Sequence, residues 1–139
     1  MQGVAALEFA IAAPVLLIML TGMVELGYRM FESMQVQNAA EAGALYVARH
    51  GWDSAGISAA VVNATGISGL TATPAPSKFC GCPAAGAIAI AACASICSGG
   101  AAAGSYVQIN ASLVHQTILP YAGTALPATL TGSAIVRVN

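Results

Sequence analysis

An apolar run near the start of the chain limits what the rest of it can become. From Phe9 to Val24 there are 16 residues without a charge, and Val4–Leu7 extend the stretch beyond a single acid, Glu8. At 1.5 Å per residue the uncharged run spans roughly 24 Å as a helix, and Val4–Leu7 bring it to about the thickness of a bilayer core. Secretory signals also have apolar cores, but usually of about 7–15 residues, preceded by positive charge and followed by a small-residue cleavage site. Here no Lys or Arg precedes the run and Glu25 follows it. The segment reads as a retained membrane span. A carboxylate at the edge of such a span is costly, which makes Glu8 a functional candidate; the simpler reading is a glutamate kept wet at the membrane interface.

Composition points the same way. Hydrophobic residues make up 58% of the chain and charged residues 6%, against roughly 25% charged in ordinary soluble domains. Such a chain cannot clothe itself in polar surface and needs lipid or neighbouring subunits. The net charge is −1, with no Lys/Arg cluster to grip a phosphate backbone, so nucleic acid is not an expected partner. There is no GxSxG elbow and no GxxxxGK loop. His50 and His115 stand far apart without a third ligand and read as surface or strand residues. No enzyme activity, cofactor or metal is expected.

Two regions follow: a hydrophobic segment over 1–27 and a body over 28–139. Glu25, Arg29 and Glu32, at i, i+4 and i+7, share one helical face, and Leu26, Tyr28, Met30, Phe31, Met34, Ala42 and Leu45 line the others. One helix from Val4 to His50 is predicted, continuing through 28–50 and capped by Gly51. Pro14 removes one backbone hydrogen bond and is expected to kink or loosen it. Asp53 or Ser54 starts a shorter helix to about Ala64, and 66–78 reads as a connection. Residues 79–104 form a cysteine-bearing loop, with a strand at Ala87–Ala91. Tyr106–Ile118 and Leu130–Val138 alternate as half-buried strands that pair into a hairpin, the chain turning over Pro120–Pro127. Small-xxx-small pairs at Ala6/Ala10, Ala39/Gly43 and Ala40/Ala44 permit close helix approach. The fold class is α+β: a long N-terminal helix, a short helix and a small antiparallel sheet.

Four cysteines, Cys80, Cys82, Cys93 and Cys97, fall within 18 residues. In an exported chain they read as disulfides, which places the body outside the cytoplasm. Four thiolates also suit zinc, but the exported context disfavours free thiolates. Three pairings are open, and the nested one, Cys80–Cys97 with Cys82–Cys93, suits a hairpin.

Residues 3–27, GVAALEFAIAAPVLLIMLTGMVELG, resemble the N-terminus of TadE-like pseudopilins, in the tight-adherence branch of the type IV pilus superfamily. The matching features are Gly3, a cleavage point before Val4, Glu8 five residues into the mature chain, and the aromatic Phe9. Ala39–Ala44 resembles the small-residue stretch that follows the membrane segment. Cys80-Gly81-Cys82, Cys93, Cys97, Tyr106–Asn110 and Leu130–Val138 resemble the cysteine-bearing subgroup. Only Met1 and Gln2 precede Gly3, where the family usually carries a short basic leader. The resemblance implies a pilin-like fold and processing by a prepilin peptidase at Gly3/Val4. It also implies a tight-adherence export machine, and a fibre in which Glu8 neutralises a neighbouring subunit's amino terminus. The implied partners are other pilin subunits and, before assembly, inner-membrane lipid. The implied location moves from the inner membrane, with the body extracytoplasmic, to a cell-surface fibre for adhesion. The alternative is a bitopic assembly or secretion factor that stays in the membrane; a secreted, signal-cleaved protein is a third.

Overall fold

The computed structural model describes residues 2–118 and 127–138, with side chains for all of these except Gln2, Val4 and Ala5. The elements are α1 (Gln2–His50), α2 (Ser54–Asn63), β1 (Ser77–Ala84), β2 (Ala87–Ile90), β3 (Gly104–Val114) and β4 (Thr129–Val138). The strands form one antiparallel sheet in the order β2-β1-β3-β4. The expected turn over 120–127 lies, but for Pro127, outside the described residues.

With 49 residues, α1 is a rod of roughly 73 Å. No helix breaker interrupts it before Gly51, whose N–H donates to Val47 O at 2.8 Å. The helix runs through Pro14 without interruption, although Pro14 has no N–H for the Ala10 carbonyl. Asp53 occupies the N-cap of α2, but its carboxylate makes no capping bond. It accepts instead from the Tyr46 hydroxyl at 3.1 Å, which ties the α2 start back to α1.

Among the described residues the head, formed by α2 and the sheet, packs on the distal half of α1. Residues 25, 32, 36, 39, 40, 43 and 47 are, among the described residues, the buried positions of this helix, a stripe with the 3–4 and 7 spacing of one face. Val36, Ala39, Ala40 and Val47 meet Val107, Ile109, Ala111 and Leu113 of β3, Leu130 of β4, and Ile57 and Val61 of α2. Small residues make this approach possible. A Cβ on Gly43 would lie 2.8 Å from both Ile109 Cγ2 and Val61 Cγ2. A Cβ on Gly132 would lie 2.7 Å from the Val36 carbonyl oxygen, so β4 and α1 touch backbone to backbone. Ala39 and Gly43, one of the small-xxx-small pairs, are therefore spent inside the subunit.

The cysteine region differs from expectation in two ways. Much of the expected loop 79–104 is a hairpin, β1 and β2, whose register pairs Cys82 with Ala89 and Gly81 with Ile90. The disulfides are Cys80–Cys93 and Cys82–Cys97, with Cα–Cα distances of 5.0 and 5.5 Å, and not the nested pair. Register explains the correction. Ala91 N donates to Cys80 O at 2.9 Å, so the chain leaves β2 beside Cys80 and reaches it two residues later with Cys93. A turn closed by Ser95 N and Ala92 O then brings Cys97 back toward Cys82. Nested bonds need Cys93 to overshoot Cys80 and double back.

Candidate functional site: the bare half of α1 and its junction with the head

Among the described residues nothing buries the proximal half of α1. From Ala6 to Val24 the described side chains are exposed except for the half-buried Ala13 and Gly22. In length and apolar composition the helix is sufficient to cross a membrane. Its one hydroxyl in this stretch, Thr21, donates back to Leu17 O at 2.9 Å, so it presents no unsatisfied donor to lipid. Gly3 and Val4 lie in the first turn. Glu8 and Phe9 follow, both exposed, and Glu8 makes no hydrogen bond or ion pair among the described residues.

The bare surface does not end where a bilayer would. Leu26, Met30 and Met34 are 49%, 63% and 60% exposed and stand at i, i+4 and i+8, away from the head. Phe31 and Leu45 are also exposed. The head thus covers the small-residue face of α1 and leaves its large apolar residues outside. That is the reverse of a helix built to fill its own core.

A buried ionic cluster lies at the junction. Glu25, Glu32 and His115 are 3%, 5% and 4% exposed. His115 Nε2 donates to Glu25 Oε1 at 2.9 Å and Nδ1 to Glu32 Oε2 at 2.5 Å. Both ring nitrogens face carboxylate oxygens, so the arrangement calls for imidazolium, whose two N–H groups both donate. Hydrogen bonds to Glu32 and then to Glu25 hold the His115 pKa above its ordinary value, against the opposing effect of burial. Glu25 Oε2 also accepts from Ile118 N at 2.8 Å. The Tyr28 ring lies 6.0 Å from the imidazole, and Arg29 donates to the Pro127 carbonyl.

One face of α1 therefore holds both chain ends that flank residues 119–126. Glu25 and Glu32 hold 115–118, and Arg29 holds Pro127. His115 N donating to Ala128 O, 2.8 Å, joins the two ends. Farther along, Gln37 exchanges bonds with the Ser133 backbone at 3.2 and 3.3 Å. His115 is thus not a surface residue: it is the buried counterion of two helical acids. His50 is exposed, stacked on Tyr46 with ring centroids 4.7 Å apart. All four cysteines are consumed in the two disulfides, away from this junction. Among the described residues no group of three or more His, Cys, Asp and Glu side chains is arranged to hold a metal ion.

Residues 3–45 match the family profile described as TadE-like protein. The matched segment carries Gly3, Val4, Glu8, Phe9 and Pro14, together with both acids of the buried cluster. No curated protein and no solved structure matches the chain.

Proposed function

We propose that this chain, TadE-like over residues 3–45, is a structural pseudopilin subunit of a tight-adherence or type IV-like pilus, assembling through the bare face of α1. The observation that carries the proposal is the continuation of that face past the membrane. Val4–Val24 already matches a bilayer core, yet Leu26, Met30 and Met34 carry exposed apolar surface to about 15 Å beyond Val24. A bitopic anchor has no use for it. Neighbouring α1 helices in a fibre core would cover both parts continuously.

On this reading the helix resides in the inner membrane before assembly, with the disulfide-bearing head outside the cytoplasm. The role is mechanical rather than enzymatic. Prepilin peptidase would cut between Gly3 and Val4, and the tight-adherence export machinery would extract the subunit. The freed amino group of one subunit would meet Glu8 of another. In a low-dielectric core that pair must offset the desolvation of both ions, so its role is to select register. Pro14 would loosen the helix locally during the transfer from lipid to fibre, with neighbours re-satisfying the Ala10 carbonyl.

Shearing cells and analysing the released filaments by intact mass and N-terminal sequencing tests the proposal. The expected species begins at Val4 and copurifies with filaments. An uncut chain found only in the inner membrane would establish the bitopic assembly factor instead.

A further inference from the structure

A second feature lies at the far end of the head, about 35 Å along α1 from Val24. There the end of α1, the residues after it and the margins of β1, β3 and β4 enclose a hollow of about 360 Å³. Val47, Trp52, Lys78, Ser105, Arg137 and Val138 line it. Its size lies at the small end of ligand pockets, which run from about 300 to 1,000 Å³. It has room for a single ring-sized unit.

Charge makes this hollow unlike the rest of the molecule. The chain has four Lys and Arg residues, and two of them, Lys78 and Arg137, line this one cavity. None of the five acids does. Glu25 and Glu32 are engaged by His115, Glu41 accepts from Gln37, Asp53 accepts from Tyr46, and Glu8 lies near the opposite end of α1. The Arg137 guanidinium makes no hydrogen bond or ion pair among the described residues. Lys78 Nζ sits 5.2 Å from the centre of the Trp52 ring, a cation–π contact that leaves its charge unneutralised. Trp52, the only tryptophan of the chain, remains 39% exposed.

We infer that this hollow binds a carboxylate-bearing sugar unit. Arg137 offers a planar fork and Lys78 a point charge to the carboxylate. The exposed indole offers a flat apolar face to the C–H side of a pyranose ring, and the Ser105 hydroxyl can pair with a ring hydroxyl. A neutral sugar would leave both cations uncompensated. A bare inorganic anion would leave the indole uncovered. The combination selects a ligand that carries both features, and it does not depend on whether the chain assembles into a fibre.

The test uses the full chain in detergent, with the fluorescence of Trp52 as reporter and titration calorimetry as an independent readout. The probes are galacturonic acid, galactose and inorganic phosphate at equal ionic strength. Galacturonate is expected to give a saturable response, with galactose and phosphate each at least about tenfold weaker. Arg137→Gln and Lys78→Gln are each expected to weaken galacturonate binding about tenfold while leaving the near-UV dichroism melt unchanged, which separates lost binding from lost folding. Three results would overturn the assignment: no saturable response to galacturonate, phosphate binding as tightly as the sugar acid, or folded Arg137→Gln binding like the wild type.

Discussion

Replacing His115 with glutamine removes the imidazole that bonds both Glu25 and Glu32 while keeping a side chain of similar reach. The wild-type imidazolium makes two charge-assisted bonds, at 2.9 and 2.5 Å, and such bonds contribute about 1.5–3 kcal/mol each. A glutamine amide can donate to one carboxylate but turns its oxygen toward the other. Two buried carboxylates are then left without a shared cation, a change that costs about 3–5 kcal/mol where burial is complete. The cluster lies on one side of a largely exposed helix, so water can relieve part of this and the lower end, about 3 kcal/mol, is expected. For a head of this size that corresponds to a fall of about 12 °C in Tm, at about 4 °C per kcal/mol.

The pH dependence gives the sharper test. The folded protein holds the His115 pKa above its ordinary value, so folding binds a proton. The stabilisation is fully present below the unfolded pKa of about 6.5 and is lost as pH rises through the folded pKa. Melting the full chain in detergent from pH 6 to pH 10, by near-UV circular dichroism, should show wild type well above His115→Gln at pH 6. The two curves should converge toward alkaline pH. A gap that stays constant, or widens with pH, would refute the imidazolium bridge.

Non-reducing peptide mapping should recover Cys80 linked to Cys93 and Cys82 linked to Cys97, without free thiol; nested peptides would contradict the register argument. Opening either bond by Cys93→Ser or Cys97→Ser should cost about 2–3 kcal/mol, given loops of 13 and 15 residues, seen as a lowered melt. Gly132→Ala should destabilise the head more than Gly43→Ala, because the first meets the α1 backbone and the second only side-chain methyls; equal chemical-denaturation midpoints would argue against backbone contact. Glu8→Ala should be cleaved and inserted normally yet fail to enter filaments, with Glu8→Asp milder. Wild-type levels of the cleaved alanine variant in sheared fibres would reduce Glu8 to an interfacial glutamate.

The parts of the fold written in local patterns are legible in the sequence. Nothing between Phe9 and Gly51 both breaks and caps a helix, and α1 is there. Alternation in Tyr106–Ile118 and Leu130–Val138 marks β3 and β4, but β3 ends at Val114, because His115 and Ile118 leave the ladder to bond Glu25 and Glu32. What local pattern does not encode is harder to read. Ser77–Ala84 holds Gly81, Pro83 and two cysteines and has no alternation; its strand exists because β3 and two disulfides hold it.

The covered face of α1 shows the same limit. Large apolar side chains lie all around the helix, and the choice of the alanine face follows from the backbone approach at Gly132. His115 is hidden for another reason: its partners are 83 and 90 residues away. One signal was available. Glu25 and Glu32 share a helix face with a single cation, Arg29. Two acids to one cation on that face, in a chain this poor in charge, leave an excess of negative charge for a group from elsewhere in the chain to meet.

The backbone contact between Gly132 and Val36 couples rotation to translation. At Gly132 the head meets the α1 backbone with no side chain between them, and the core side chains lock the rest of the seam, so the head turns as the helix turns. Each residue along an α-helix advances about 1.5 Å and rotates about 100°. Were one subunit to dock a single residue out of phase, its axial error would be smaller than an atom's diameter. Its head, with the Trp52 hollow, would face more than a quarter-turn away from its neighbours. Any device that fixes depth in such an array also fixes compass bearing, and a small error in depth becomes a large error in aim.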